Sequence, residues 1–347
     1  MQGNLKKGKL LNENGELIES GWSTEIVKEY LRSDIKASKW RIKEWDYYLI
    51  SNNDVAIALT FAENSYMSLS SVSFLDFNKP SYKTTSDIKL FTFGKNVMPS
   101  TTKEGDVIYK SKRSQMIFKN DGKTRYLSCK FKKFDKINGK NIDFEAEIEL
   151  TDFPRDSIVV ASAWNEDKKS FYYNSKINCM VASGYFIIGD KKYEFDKSNS
   201  LGTIDWGRGV WTRTNTWYWG SLSTYLEDGR KFGFNIGYGF SDRPNGSENV
   251  IFIDGIAHKF DKVKFNIPKI EGKNNYMDKW TFTSNDGKFE MSFSPIIDRI
   301  DNTDLGIIVS KQHQVFGLFS GKVVLSDNSI IEIKDKLGFA EEVYNKW

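Results

Sequence analysis

Cysteine and histidine are scarce in this chain, whose 347 residues include two of each. Cys129, Cys179, His258 and His313 lie far apart along the sequence, so no zinc-ligand spacing forms. Both cysteines sit within apolar alternating segments and read as buried thiols of a reducing compartment. Long apolar runs are missing too. No window of about 18 apolar residues occurs, so no transmembrane helix is expected. The opening M-Q-G-N-L-K-K-G-K-L-L-N-E has no apolar run long enough for a signal peptide, and the cytoplasm is the expected location. G-x-S-x-G, P-loop, dinucleotide-fingerprint and H-E-x-x-H motifs are all absent, and neither a cofactor nor a metal is expected. A strong excess of charge of one sign over the whole chain is missing as well. The net charge is +4 with 28% charged residues, and bases are interspersed with acids, so no nucleic-acid partner is expected.

Ala and Leu are sparse, whereas aromatics reach 15%, and Ile, Thr and Ser are abundant. That balance leans to β-structure. A chain of 347 residues exceeds what one core usually serves, which favours two domains. Short alternating segments separated by turns run through most of it. Ile142–Thr151 sets Ile142, Phe144, Ala146, Ile148 and Leu150 against Asp143, Glu145, Glu147 and Glu149, a half-buried strand. Ser157–Trp164, Asn178–Ile188, Ile307–Val309, Gln314–Leu325 and Ile330–Lys334 read as further strands, and Gly94–Lys112 as a loop. Turn signals sit at Asp121-Gly122, Asp228-Gly229, Asp254-Gly255 and Asn285-Asp286-Gly287. A short helix is expected over Glu25–Arg32, capped by Ser23 or Thr24.

The stretch Gly202–Gly220, G-T-I-D-W-G-R-G-V-W-T-R-T-N-T-W-Y-W-G, stands out. It holds four of the ten Trp, with four glycines, two arginines and one acid. Strand parity would put Trp211, Arg213, Asn215, Trp217 and Trp219 on one face, and Thr212, Thr214, Thr216 and Tyr218 on the other. An internal repeat surrounds this block. Ser183-Gly184, Gly202 and Asp205 are echoed by Ser320-Gly321, Gly338 and Glu341, and W-D-Y-Y-L at Trp45 by W-Y-W-G-S at Trp217. The expected division is an N-terminal arm over 1–38 and two β domains over 39–200 and 201–347.

The central block resembles the signature of an uncharacterised bacterial domain-of-unknown-function family of DUF2804 type. The likeness continues through Ser247-Glu248-Asn249, Asp254-Gly255, His258-Lys259, Pro295, Arg299, Phe316-Gly317 and Gly338, and covers nearly the whole chain. More distantly, the tandem pattern is similar to lipocalin-like carotenoid hydratases, tocopherol cyclases and Diels–Alderase-type cyclases. The resemblance implies an all-β fold of two lipocalin-like antiparallel barrel or sandwich units. It also implies a bulky hydrophobic small-molecule ligand, held in a barrel or between barrels.

Several residues are candidates for chemistry, each with a structural alternative. Asp205 and Arg208 read either as an ion pair pinning a turn between the units or as a general acid and its neighbour. Packing against indoles would favour the protonated form of Asp205, and an adjacent arginine its charged form. Trp206, Trp211, Trp217 and Trp219, with Tyr218, read as core or as a flat apolar wall for a ligand. Glu248 and Asn249 read as a turn-capping pair or as an acid–base and ligand-binding pair following the loop Asp242–Ser247. His258 reads as a surface histidine or a proton shuttle. The leading expectation is binding of an isoprenoid, polyene or steroid-like molecule, with cofactor-free hydration, cyclisation or isomerisation as its chemistry. The alternatives are a non-catalytic carrier or sensor, favoured if no unneutralised acid faces the ligand, and a carbohydrate binder, favoured if the Trp side chains line an exposed groove.

Overall fold

The computed structural model describes residues 2–242, 245–304, 306 and 309–346. Ile307 and Ile308 of the expected strand Ile307–Val309, and Arg243 and Pro244 of the loop ahead of Glu248, lie outside the described residues. The arm contributes β1 (Gly8–Lys9), β2 (Gly21–Ser23) and β3 (Lys28–Glu29). Then come β4 (Ile42–Ser51), β5 (Val55–Glu63), β6 (Met67–Asp76), β7 (Ser81–Leu90), β8 (Val107–Lys110), β9 (Ser114–Asn120), β10 (Arg125–Ile137), β11 (Lys140–Thr151), β12 (Ile158–Trp164), β13 (Asp167–Ile188), β14 (Lys191–Phe195) and β15 (Leu201–Val210). The remainder forms β16 (Thr214–Tyr225), β17 (Lys231–Tyr238), β18 (Val250–Ile253), β19 (Ile256–Lys259), β20 (Val263–Asn266), β21 (Lys269–Ile270), β22 (Lys273–Asn274), β23 (Trp280–Ser284), β24 (Phe289–Asp304), β25 (Val309–Val324) and β26 (Ile330–Lys346).

All of these strands except the pairs β1-β3 and β21-β22 build two curled antiparallel sheets in tandem. The first runs β7-β6-β5-β4-β15-β13-β11-β10-β9-β8, with β12, β14 and β2 attached off that path. The second runs β19-β18-β17-β16-β26-β25-β24-β23-β20. Each sheet closes around its own apolar core: Tyr48, Phe118, Phe144 and Trp206 are among those filling the first, and Phe234, Trp280, Phe289 and Phe319 the second. A third cluster, including Tyr47, Leu49, Trp219, Phe316 and Phe339, lies in the seam between the sheets. Curling brings β7 round to β10, where Thr85 Oγ1 donates to the Phe134 carbonyl at 2.6 Å and Lys83 pairs with Asp135 at 2.9 Å.

The expected N-terminal helix does not form. Residues 25–31 run extended apart from a bend, β3 pairs in parallel with β1, and a 3-10 turn over Arg32–Asp34 follows. Burial explains the outcome. In extended backbone Lys28 and Tyr30 point the same way. Lys28 meets Glu19 at 2.6 Å, and the Tyr30 hydroxyl donates to buried Glu44 at 2.8 Å. A helix would carry Tyr30 out of the first core, and that burial outweighs the weak helical propensity of a short segment. Two strands are longer than the sequence suggests. β13 begins at Asp167 rather than Asn178, and β26 continues to Lys346. The loop expected over 94–112 contains β8. β15 belongs to the first sheet, so the crossover falls at 211–213, some ten residues after the expected boundary at 200/201.

The repeat is visible in the topology. The path β4-β15-β13-β11 of the first sheet matches β16-β26-β25-β24 of the second. Gly184 on β13 and Gly321 on β25 occupy equivalent places, with φ of 127° and 156°. A Cβ built on either would stand 2.1 Å from a carbonyl oxygen of the neighbouring strand, Glu147 in one case and Glu290 in the other. Only glycine tolerates that backbone and that approach. Gly184→Ala and Gly321→Ala should therefore each lower stability, by about 1–3 kcal/mol from the backbone conformation alone, with the clash adding to it. Urea unfolding of both variants checks this, and an unchanged midpoint in either would contradict it.

Candidate functional site

The seam is built from the outward faces of the central strands of both sheets. On β15, Ile204, Trp206 and Arg208 face the first core, while Thr203 and Asp205 face the seam. Alternation thus separates Asp205 from Arg208. Arg208, fully buried, pairs with Asp46 at 2.9 Å, donates to the carbonyls of Pro99, Trp45 and Gly207, and lies 4.2 Å from the Trp206 ring centroid. Burial raises the Asp46 carboxyl above its ordinary range and Arg208 opposes that rise. The pairing of Asp205 with Arg208 considered from the sequence is therefore replaced by two separate ion pairs on opposite faces.

Asp205 meets Lys176 of β13, at 3.3 Å. It also accepts hydrogen bonds from the Trp45 indole at 3.1 Å and from Asn174 Nδ2 at 2.5 Å. Lys176 reaches across the seam to Glu248 at 2.8 Å, donates to Asn174 Oδ1 and the Tyr172 hydroxyl, and lies 4.9 Å from the Trp219 ring centroid. Burial alone would depress the Lys176 ammonium, but Asp205 and Glu248 outweigh it and hold it well above the usual lysine range. Trp219 in turn donates its indole N–H to Asn235 at 2.6 Å, and Asn235 donates to the Glu248 carbonyl.

On the facing strand, Glu341 occupies the position in β26 that Asp205 occupies in β15. Tyr47 lies opposite Asp205 and Trp219 opposite Glu341, while Trp45 and Trp217 each sit two residues further along. The indole contacts repeat as well: Trp217 Nε1 donates to Glu341 at 2.9 Å, as Trp45 does to Asp205. The two carboxyl groups differ in their surroundings. Glu341 takes hydrogen bonds from uncharged donors, Trp217, Gln314 and Gln312, and no ion-pair partner contacts it among the described residues. Burial pushes Glu341 up to about 7, against the pull of the Trp217 N–H and of Arg299, with the Asp205 charge adding to the rise. Tyr47 stands between the two acids, its hydroxyl raised to about 12, mainly by burial. The Gln314 side chain lies close enough to the Tyr47 hydroxyl to interact with it, and buried Arg299 Nε has no hydrogen-bond partner among the described residues.

The other candidates are dispersed. Trp206 makes edge contacts with Tyr30 and Tyr173 in the first core, and Tyr218 stacks on Tyr238 in the second, its hydroxyl donating to Glu342. Trp211, in the crossover, packs edge-on against Trp45, Trp217 and Phe240 at one end of the seam. Asn249 accepts from Gly237 N and donates to the Asp261 carbonyl, which fastens β17 to the following loop. His258 lies on β19 and accepts from Ser326 N, and the charges that act on its ring are those of Asp327, Asp156 and Arg155 rather than of the seam acids. Both cysteines are buried and unpaired. At the other end, the seam opens into a cleft of about 20 Å³, room for roughly one water, whose lining includes Leu49, Thr203, Ser221, Gly338 and Phe339. Thr203 and Phe339 are two residues along their strands from Asp205 and Glu341, neither of which lines the cleft.

Glu341 carries a pH signature. Its folded-state value, about 7, lies above the ordinary 4.5, so the folded chain holds this proton more tightly than the unfolded chain. Stability is then lost as pH rises through the interval from about 4.5 to about 7 and stays reduced above it, by about 3 kcal/mol in all. Glu341→Gln cannot ionise. Its stability relative to the parent should improve by up to that amount between pH 4.5 and pH 8, as read by denaturant unfolding at a series of pH values. Parallel stability profiles would contradict the assignment.

Comparison with known proteins bears on the fold and family. No curated protein sequence matches the chain. Among solved structures, a protein designated AttH from Nitrosomonas europaea has a TM-score of 0.53 at 13% identity, covering 90% of this chain and 96% of that one. Kievitone hydratase from Nectria haematococca has a TM-score of 0.46 at 11% identity, covering 99% and 97%. The first likeness shows a shared tandem-sheet fold. Residues 2–347 match the model of a domain of unknown function, DUF2804, and the chain belongs to that family.

Proposed function

We propose that the seam between the two sheets binds a bulky hydrophobic small molecule with a protonatable double bond, and that Glu341 is its proton donor. The observation that carries the reading is the unlike pair of buried carboxyl groups at equivalent positions of the repeat. Asp205 is charge-paired with Lys176, whereas burial raises Glu341 to about 7 and its hydrogen-bond donors among the described residues are uncharged. Environments that push two carboxyl groups apart are how one site comes to contain both an acid and a charged partner. A group with a pKa near the working pH is the efficient proton donor.

Around Glu341 the seam supplies Trp217, Trp219, Tyr47 and Phe339, an apolar wall with electron-rich faces suited to a developing carbocation. Protonation of an alkene carbon by Glu341 would leave its carboxylate to take a proton back from water adding to the cation, or from the cation's neighbouring carbon. The first path is hydration and the second isomerisation. Ligand entry requires the seam to part at the narrow cleft. That end is held by side-chain bonds such as Thr203 to Ser223 and Asn178 to Ser221.

None of the four Trp of the central block is exposed, which speaks against the carbohydrate reading, since that needs an open aromatic groove. A carrier without chemistry would share the wall but not the need for a protonated acid. The test is deuterium incorporation. Retinol, a polyene, serves as the probe, with binding followed by quenching of Trp fluorescence and exchange in D2O followed by mass spectrometry. The parent protein should exchange deuterium into bound retinol, more slowly as pH rises above about 7. Glu341→Gln should bind within a few fold and exchange about 100-fold more slowly or worse. Equal exchange in both would remove Glu341 from the chemistry, and binding without any exchange would leave a carrier.

A further inference from the structure

The turn after β7, with Phe91 and Phe93, and the 3-10 turn ahead of β4, with Trp40, together raise three aromatic rings into solvent. Phe91 is 58% exposed, Trp40 47% and Phe93 46%, and Leu90 and Val97 beside them are 61% and 82% exposed. The rings form one cluster: Trp40 meets Phe93 edge-on at 5.2 Å and Phe91 at 6.2 Å, and the two phenyl rings stack at 6.2 Å. Large apolar side chains scattered singly on a surface need no explanation, whereas a contiguous projecting group does.

The cluster is held in place from beneath. Glu63, completely buried, accepts from Ser65 N at 2.9 Å, Thr92 Oγ1 at 2.6 Å, Gly94 N at 3.2 Å and Asn96 Nδ2 at 2.7 Å. Phe91 N and Phe93 N donate to the carbonyls of Tyr66 and Ser65, each at 2.7 Å. These bonds bury Thr92 and turn the phenylalanines on either side of it outward. Both phenylalanines sit at positive φ, 59° and 52°, a conformation costly for a bulky side chain. The fold therefore holds strained backbone in a position that keeps apolar rings in water.

Basic residues flank the rings along both segments that carry them. Lys36, Lys39, Lys89 and Lys95 are exposed, and none has an ion-pair partner among the described residues. Within residues 31–41 and 88–97 the acidic complement is Asp34 alone, against Arg32, Lys36, Lys39, Arg41, Lys89 and Lys95. Arg32 is committed to Glu44 and Arg41 to Asp167, which leaves the four lysines facing outward.

We infer that this surface docks the protein on an anionic phospholipid bilayer, with Trp40, Phe91 and Phe93 seated at the headgroup level and the lysines on the lipid phosphates. Trp at the interface and apolar side chains just below it, ringed by lysine, is the arrangement that peripheral anchoring requires. Juxtamembrane lysines add attraction that falls off with salt. A protein partner would be matched by an apolar groove with a closed polar rim, whereas this patch projects and the segments that carry it hold six basic residues against one acid. The inference is independent of the chemistry proposed for the seam.

The test is co-sedimentation of the full chain with phosphatidylcholine vesicles, with and without about a third phosphatidylglycerol. The parent should pellet with the anionic vesicles and be released by salt. The double substitution Phe91→Ser/Phe93→Ser should bind at least about tenfold more weakly, with an unchanged melting temperature. Lys89→Gln/Lys95→Gln, which keeps the rings, should weaken binding and flatten its salt dependence. Brominated lipid should quench part of the Trp fluorescence, and that part should vanish in Trp40→Phe. Failure of the parent to pellet, equal pelleting of the phenylalanine variant, or a lipid-free dimer abolished by the same substitutions would each overturn the inference, the last by giving the patch to a second copy.

Discussion

The charge on Lys176 organises the molecule. Its ammonium is buried between the sheets, and an unpaired buried ammonium would cost several kcal/mol. Asp205 from its own sheet and Glu248 from the other compensate it, with Asn174 and Tyr172 taking its remaining hydrogens. The contact joins the two halves through a bond that neither sheet could satisfy alone. It also commits Asp205 to an ionised partner. The second seam acid then differs from the first: among the described residues no cation touches Glu341, which lies within the field of Asp205.

Duplication explains why two acids stand face to face. Each unit carries a Trp on its first strand that donates to a carboxyl group on its last strand, and packing the units along those strands brings the pairs together. Divergence then altered the neighbours. Where the first unit has Tyr47 opposite its acid, the second has Trp219, and Trp219 also provides the ring face that Lys176 approaches. The two copies keep their backbone requirements, seen at Gly184 and Gly321, while their acids have separated into different electrostatic settings.

Much of this was legible in the sequence. Asp-Gly turns and alternating segments point to antiparallel sheets, and the echo of Gly202 and Asp205 in Gly338 and Glu341 marks the repeat. Parity alone separates Asp205 from Arg208, because residues three apart on a strand point to opposite faces. Other features were hidden for a physical reason. The stretch from Ser170 to Met180 is buried on both faces, one toward the first core and one toward the seam, so it shows no alternation and conceals Asn174 and Lys176. The end of β26, A-E-E-V-Y-N-K, is rich in residues that do not favour strands, and it is held as one by pairing with β16 and β25. Tertiary burial likewise overrides the helical pattern around Tyr30.

The account depends on Glu341 keeping its proton near neutral pH inside the folded protein. Carbon-13 NMR of glutamate side-chain carboxyl groups, followed through a pH titration, measures this directly. One resonance should titrate with a midpoint near 7 and be missing from the spectrum of Glu341→Gln. If the resonance lost in that variant titrates instead near the ordinary value of 4.5, the seam holds two carboxylates and no acid, and the proposed chemistry fails.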